Sequence, residues 1–174
     1  MKAHSFIYLI IYSCFIMSVS LQAQEHFADR YNVSYITMDD GLPHNFIDDI
    51  YKDTRGFLWI STAGGGLSRY DGYEFIHFNP NTPHSKLKSN FIHNVYEDRF
   101  HRLWIVSEGG TDIIDLSTLQ SVIPNDPKGL LPRFINHPTY IVILDSQGCI
   151  WLQCDNALHR ITFDAEGGID TLST

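Results

Sequence analysis

A motif in which an aspartate is followed six residues later by a tryptophan occurs three times in this chain. The tryptophans Trp59, Trp104 and Trp151 are the only three in the sequence, and they are 45 and 47 residues apart. A sequence that repeats at such a period folds into similar units that pack on one another, so this repeat constrains the fold more than composition does. The three copies are Ile50–Ile60, Val95–Ile105 and Val142–Leu152.

Each copy has the pattern of two strands joined by a tight turn. In the first copy an apolar strand leads into Asp53, whose carboxylate can accept hydrogen bonds from the N–H groups of the turn that follows. Gly56 tolerates the positive φ that such a turn can require. The returning strand, 57–62, begins with four apolar residues in a row. Apolar side chains on both faces predict a sheet that is covered on both sides.

Two more strands follow in the same unit. After Gly64–Gly66, Leu67–Tyr70 predicts a third strand, Asp71–Gly72 a two-residue hairpin and Tyr73–Phe78 a fourth strand. Four short antiparallel strands in about 45 residues are typical of a β-propeller blade. We therefore predict an all-β fold, a partial β-propeller of about three four-stranded blades at 46–79, 91–123 and 139–173. The turn signals and the absence of a 3.6-residue period exclude helical repeats.

The second and third copies depart from the first in their turns. His101 stands where the turn glycine is expected, and histidine is one of the residues that adopts positive φ more readily than most. The third copy has a shorter second hairpin, so that Leu158–Ile161 takes the place of Leu67–Tyr70. The proline-rich stretch 124–138 predicts a longer connection between blades two and three.

One strand is predicted ahead of the first complete blade, at 31–37. In propellers such an orphan strand commonly completes the blade formed by the other terminus. Three blades and one strand, within a propeller region at 31–174, fall short of the four to eight blades that close a ring. We therefore expect this chain to be the amino-terminal piece of a longer protein, whose remaining blades are its first partners.

The first residues have the pattern of a secretory signal. Lys2 provides a positive start, 6–17 is an uncharged and mostly apolar run, and small residues precede a cut after Ala23. This predicts a signal peptide at 1–23 and a periplasmic protein, the parent being anchored in the inner membrane. An uncleaved anchor helix is the alternative, although the run is short for a span of about 20 residues.

Charge and cysteine content limit the remaining classes. The formal net charge is −8, and an acidic surface repels phosphate backbones, so nucleic acid is not expected as a partner. Removal of the signal would remove Cys14 and leave Cys149 and Cys154. Five residues apart on one strand, these two would lie on opposite faces, so no disulfide between them is expected.

The first copy resembles the two-component regulator propeller repeat. The resemblance rests on Gly41–Asn45, Ile50–Asp53, Leu58–Thr62 and Gly66–Gly72, and more loosely on the later copies, so that it covers 31 to about 163. This repeat builds the periplasmic sensors of hybrid two-component systems, which are common in gut Bacteroidetes. The resemblance implies two seven-bladed propellers, a β-sandwich, one membrane span, a histidine kinase, a receiver and a DNA-binding domain. It also implies an oligosaccharide ligand and a homodimeric parent, while none of the signalling domains lies in this sequence.

The repeated residues are interpreted as structural, since a role in blade packing explains why they recur. They are Asp53, Gly56, Trp59, Asp98, Trp104, Asp145, Gly148 and Trp151. No catalytic residue, metal site or cofactor is predicted, and no ligand-binding residue can be named. Histidines 44, 84, 93 and 101 are interpreted as loop residues, with metal binding as a minor alternative.

Two alternatives to a sensor stay open. Sialidase-type propellers carry a related Asp-x-Gly-x-x-Trp turn, but Asp53-x-x-Gly56-x-x-Trp59 is one residue longer, and no carboxylate pair suited to glycosidic cleavage can be picked out. A glycan hydrolase or lyase is therefore the second hypothesis. The third is a propeller without catalysis that binds another protein, or a gene remnant.

Overall fold

Antiparallel strands in groups of four make up most of the chain, as the repeat predicts. The computed structural model describes residues 33–83 and 86–173, without the side chain of residue 133. The chain divides into two units, Met1–Tyr35 and Ile36–Thr174, and the fold given below is that of the second unit. The predicted signal peptide and Cys14 lie outside the described residues.

Twelve strands are present in the described residues, and they form three separate sheets. Blade 1 consists of β1 (Ile47–Lys52), β2 (Leu58–Thr62), β3 (Gly66–Tyr70) and β4 (Phe75–Phe78). Blade 2 consists of β5 (Ile92–Glu97), β6 (Arg102–Ser107), β7 (Gly110–Asp115) and β8 (Gln120–Ser121). Blade 3 consists of β9 (Thr139–Leu144), β10 (Ile150–Cys154), β11 (Ala157–Phe163) and β12 (Ile169–Ser173). Within each blade consecutive strands pair in antiparallel order, which confirms the predicted all-β fold of three four-stranded blades.

The hydrophobic cores lie between the blades. One core joins Trp59, Leu67 and Phe78 of blade 1 to Val95 and other residues of blade 2. The second core joins Trp104, Val106 and Ile113 of blade 2 to residues of blade 3. Each blade is therefore stabilised by its neighbour, because the side chains of one sheet alone do not enclose a core.

Strand β6 explains why the repeat is apolar on both faces. Leu103 and Ile105 point into the core shared with blade 1, whereas Trp104 and Val106 point into the core shared with blade 3. All six residues of β6 are buried. Successive side chains on a strand alternate between its faces, so a middle blade needs apolar residues at every position.

Each repeat aspartate holds the turn and the tryptophan of its own blade. Trp59 Nε1 donates to Asp53 Oδ2 at 2.9 Å, and the N–H groups of Arg55 and Phe57 donate to Asp53 Oδ1. The same bond joins Trp104 to Asp98 at 2.8 Å and Trp151 to Asp145 at 2.9 Å. We call this unit the Asp–Trp clamp. It satisfies an indole N–H that is buried in the inter-blade core in blades 1 and 2.

The turn inside the clamp requires a left-handed residue. Gly56 and Gly148 have φ of 95° and 77°, and His101 at the same position has φ of 58°. A side chain at such φ costs on the order of 1 kcal/mol. His101 Nδ1 lies 2.9 Å from Glu97 Oε1, a contact that offsets this cost.

The first strands of the three blades lie side by side at the same height. Asp49 Oδ2 accepts from Asn94 Nδ2 at 2.9 Å and from Val95 N at 3.2 Å. Asn94 Oδ1 in turn accepts from Val142 N at 3.2 Å. The two interfaces use the same positions of the repeat. The side chain four residues before the repeat aspartate of one blade accepts a hydrogen bond from a backbone N–H of the next blade, that of the residue three before its repeat aspartate. These inner strands therefore form a polar ladder that sets the register between blades.

Two local expectations differ from the structure. The strand predicted at 31–37 is absent over 33–37, which has no regular secondary structure and leads into a 3-10 helix at Met38–Asp40, capped by the side chain of Thr37. A strand needs a partner, and no strand within the described residues pairs with this segment. Positions 31 and 32 lie outside the described residues.

The second difference concerns the outer hairpin of blade 1. The expected two-residue turn at Asp71–Gly72 is a four-residue loop, because Tyr70 pairs with Phe75. Asp71 Oδ1 accepts from the N–H groups of Tyr73 and Glu74, which holds the chain in this wider loop.

The third blade agrees with its predicted short hairpin. Cys154 pairs with Ala157 across Asp155 and Asn156, which both have positive φ, as a type I′ turn requires. Cys149 and Cys154 are buried and are not joined by a disulfide, as expected. The 124–138 connection contains a short helix, α1 (Pro132–Ile135). No helix of the described residues is long and apolar enough to cross a membrane.

Removal of the clamp carboxylate in blade 2 should strongly destabilise the fold. Asp98 accepts from Trp104 Nε1 and from Arg102 Nε at 2.7 Å, and Arg102 is 7% exposed. Asp98→Ala leaves this guanidinium buried without its carboxylate, so the free energy of unfolding in urea should fall by about 3–5 kcal/mol. Arg102→Met in the Asp98→Ala background should restore part of the loss. A loss below about 1 kcal/mol in the single variant would contradict the argument.

The clamp of blade 3 should make the free energy of unfolding depend on pH in the acidic range. The hydrogen bond from Trp151, assisted by the N–H of Cys149, lowers the pKa of Asp145 from 3.8 to about 2. A carboxyl whose pKa is lower in the folded state stabilises the fold above its unfolded pKa, and the contribution disappears as the pH falls through the folded value. The stability difference between wild type and Asp145→Asn should therefore shrink between pH 3.8 and about 2. Urea titrations of both proteins across this range measure it, and a constant difference would refute the assignment.

Candidate functional site

Each inner strand carries a β-bulge at the same repeat position. The pairing register shifts between Ile47 and Asp49 in β1 and between Ile92 and Asn94 in β5. In β9 the shift falls between the partners of Gln153 and Cys154, which are Ile141 and Thr139. The extra residues are Asp48, His93 and Tyr140. A bulge aims one side chain away from the regular pattern of the sheet and is common beside functional sites.

The bulged residues and several exposed aromatic side chains all occur at the start of the inner strands. The rings of His93 and Tyr140 are 5.1 Å apart, across the interface between blades 2 and 3. Two residues before the bulges of blades 1 and 2 stand Phe46 and Phe91, which are 63% and 51% exposed. Tyr140 is 50% exposed. We call Phe46, Asp48, Phe91, His93 and Tyr140 the bulge end.

Short local hydrogen bonds hold these aromatic residues in place. Phe46 N donates to His44 Nδ1 at 3.0 Å, and Phe91 N donates to Ser89 Oγ at 3.0 Å, each two residues back along the chain. The Phe91 ring also lies next to Gly64 in the β2–β3 turn of blade 1, where an added Cβ would be 3.7 Å away. The sequence thus fixes two equivalent aromatic side chains at one end of neighbouring blades.

The bulge end offers polar as well as apolar groups. The Asp48 residue is exposed, and its carboxylate can accept hydrogen bonds. His93 Nε2 is buried and has no hydrogen-bond partner among the described residues. Exposed aromatic faces beside polar groups make the bulge end a candidate ligand site.

The clamp carboxylates, in contrast, are engaged in hydrogen bonds within their own blades. Both oxygens of Asp53 and of Asp98 accept hydrogen bonds from their own blade. Asp53 and Asp98 are buried, and both lie in turns at the edge of the inter-blade cores. The clamps of successive blades also lie in separate interfaces, so that the structure does not bring the repeat aspartates together as a pair.

The other sequence-predicted candidates do not converge. His44 binds its own loop and His101 binds Glu97, whereas position 84 lies outside the described residues. Among the described residues no group of three or more His, Cys, Asp or Glu side chains could hold a metal ion. Gly64 and Gly65 lie in the turn between β2 and β3, and Gly66 is the first residue of β3.

A second surface opens on the outer face of blade 3. A cavity of about 410 Å³ is lined by Asp145, Ser146, Gln147, Trp151 and Arg160. Arg160 Nη2 donates to Gln147 Oε1 at 2.6 Å, and its Nε lies 3.6 Å from Asp145 Oδ2. In blades 1 and 2 the equivalent tryptophans, Trp59 and Trp104, are fully buried against the following blade.

The bulge end is not among the sites predicted from the sequence. The signal was present in the alignment upstream of the clamps, where Asn45-Phe46-Ile47-Asp48-Asp49 matches Asn90-Phe91-Ile92-His93-Asn94. An exposed phenylalanine at equivalent positions of two blades departs from the pattern of core residues. The bulge itself has no sequence signature here, because neither copy carries a glycine or proline at that point.

A family model matches two of the repeats. The model is that of the two-component regulator propeller, and it matches residues 41–64 and 86–109. Both segments contain an inner strand with its bulge and the Asp–Trp clamp. The search of curated proteins finds no match.

Solved structures of extracellular domains of bacterial signalling systems share the fold. The extracellular domain of the hybrid two-component system BT3049 of B. thetaiotaomicron is 21% identical, with a TM-score of 0.64 over 81% of this chain and 20% of that chain. Two structures of the extracellular domain of BT4673 from the same organism are 25% and 21% identical, each with a TM-score of 0.58. They cover 76% and 83% of this chain and 19% and 22% of theirs.

The chain therefore spans about one fifth of the length of these domains. Two of its repeats thus match the two-component regulator propeller model, and its three blades have the fold of these extracellular domains.

Proposed function

We propose that this chain is the amino-terminal part of a periplasmic sensor propeller of a hybrid two-component system, which binds oligosaccharides and signals to a kinase outside these residues. The observation that carries the ligand proposal is the bulge end, where Phe46, Phe91 and Tyr140 are at least half exposed. Phe91 and Tyr140 each contact a neighbouring blade, yet about half of each side chain stays exposed to solvent, beside polar groups.

The chemistry of the bulge end suits a sugar. One face of a pyranose ring presents C–H groups, which pack on an aromatic ring, while its hydroxyls donate and accept hydrogen bonds. The exposed Asp48 carboxylate provides a polar partner, and the His93 ring lies beside the exposed Tyr140 ring. An uncharged ligand also suits a chain with a net charge of −8, which does not attract anions.

Periplasmic placement and signalling rest on the resemblance to sensors. The matching solved structures are extracellular domains, and the leader at 1–23 has the pattern of a secretory signal. The kinase and further blades would be partners within a longer parent.

Signalling requires that the ligand prefers one arrangement of the blades. A ligand shifts a conformational equilibrium only by its differential affinity for the two states. The bulge end is suited to this, because His93 belongs to blade 2 and Tyr140 to blade 3, and a sugar on both would be sensitive to their separation.

Loss of one exposed ring should weaken oligosaccharide binding without unfolding the protein. Calorimetric titration of wild type with a panel of neutral glycan oligosaccharides identifies the ligand. Tyr140→Ala and Phe91→Ala should each weaken its binding about tenfold or more, which corresponds to about 1.4 kcal/mol. Tyr73→Ala is the matched control, since Tyr73 is 91% exposed on the outer hairpin of blade 1 and should leave affinity unchanged.

Three outcomes would count against the proposal. They are no heat with any oligosaccharide, equal affinity for Tyr140→Ala and wild type, and release of shortened sugars during incubation. The last would favour the hydrolase or lyase alternative.

A further inference from the structure

The open face of blade 3 contains a seat that no described residue fills. We propose that this seat, centred on Ser146, binds an acidic side chain of a further propeller blade, carried immediately before the repeat aspartate of that blade. The inference rests on the proposed membership of a larger propeller and adds the chemistry by which the next blade is recognised.

The interface between blades 1 and 2 shows how such a seat works. Thr54, the residue after the repeat aspartate, donates its N–H and its hydroxyl to the two oxygens of Glu97, each at 2.7 Å. Glu97 stands immediately before the repeat aspartate of blade 2 and is 3% exposed. Two donors on one residue therefore hold a buried carboxylate of the next blade, which is a strong arrangement because the acceptor is charged.

Ser146 is the equivalent of Thr54 in blade 3. It follows Asp145 directly, has the same backbone and hydroxyl donors, and lines the 410 Å³ cavity. Arg160 adds a positive charge to this cavity and lies 5.8 Å from the centre of the Trp151 ring. The presence of Asp145 does not exclude an incoming acid, since Asp53 stands beside the seat of Glu97 in the same way and is bound by its own clamp.

The apolar surround of the seat has the composition of an inter-blade core. Ile141, Ile143 and Leu158 are 45%, 48% and 47% exposed. Trp151 is only half-buried, whereas Trp59 and Trp104, which the following blade covers, are 0% exposed. A blade is therefore the class of occupant that fits.

The polar ladder does not extend across this face. Ile141 stands where Asp49 and Asn94 stand in the other blades, and its side chain cannot accept the N–H of a next inner strand. With no ladder contact on this face, the seat at Ser146 is the polar contact that can select the next blade.

A second copy of this chain is a poor occupant. Its blade 1 carries Lys52 at the position of Glu97, and an ammonium group has no acceptor for the two donors of Ser146. Its own Arg160 would in addition lie near a like charge. Charge complementarity thus favours a blade with Glu or Asp at this position.

The test extends the full chain after Thr174 by a second copy of its own residues 86–123, which carry Glu97. Amide exchange of Ser146 is followed by NMR without any sugar present, so its result is independent of glycan binding. Docking should slow this exchange about tenfold or more relative to the unextended chain. Glu97→Gln in the added copy alone should remove most of the protection, because an amide has one acceptor oxygen for two donors.

A matched pair in the unextended chain checks that serine can act as the donor. Thr54→Ser keeps both donors and should leave the folding equilibrium constant within about threefold of wild type, whereas Thr54→Val should lower it about tenfold. Equal loss in the two variants would overturn the assigned chemistry even if the extended chain did not fold.

Three results of the extension would overturn the proposal. They are an unprotected Ser146, protection that persists with Glu97→Gln, and protection in the unextended chain that rises with its concentration. The last would identify a second copy as the occupant. Failure of glycan binding at the bulge end with a protected Ser146 would overturn the proposed function alone.

Discussion

Burial of each sheet on both faces is the constraint on which the structure depends. A four-stranded blade with apolar residues on both faces has no core of its own, and its side chains are buried only where a neighbour lies against it. The sheets pair their strands internally and contact one another only through side chains and a few polar groups. The stability of each blade therefore depends on its contacts with neighbouring blades, as in other repeat proteins. Blade 2 is covered on both sides, and there the apolar residues on both faces of the central strand β6 are buried.

The clamp allows tryptophan, which carries a polar N–H group, to be buried between the blades. An indole ring gives a large apolar surface, and its N–H must find an acceptor when the ring is buried. The carboxylate six residues earlier provides that acceptor and also holds the intervening turn. One aspartate thus links local chain reversal to inter-blade packing. This coupling explains why spacing within the motif is constant although the sequence around it varies.

A feature of the fold could be predicted from the sequence where it depends on nearby residues, and could not where it depends on pairing between strands. The clamp spacing, the two-faced strand at 57–62 and the left-handed position of His101 follow from local chemistry, and the structure has them. The wider Asp71 loop was missed because its carboxylate, rather than Gly72 alone, decides the turn. The bulges were missed because they arise from pairing between strands. The strand expected at 31–37 failed over 33–37 because an extended sequence says nothing about its partner.

Polar groups then give an order to blades that apolar packing alone would leave interchangeable. The first interface is joined by Asp49 with Asn94 and by Thr54 with Glu97. The second uses Arg99 and Arg102, which donate to the carbonyls of Asp164 and Gly167 in blade 3. Since the two interfaces place different donors and acceptors at different positions, these polar contacts favour one neighbour at each interface. The positions around the clamp differ among the three copies. The side chains at these positions therefore favour the correct neighbour for each blade.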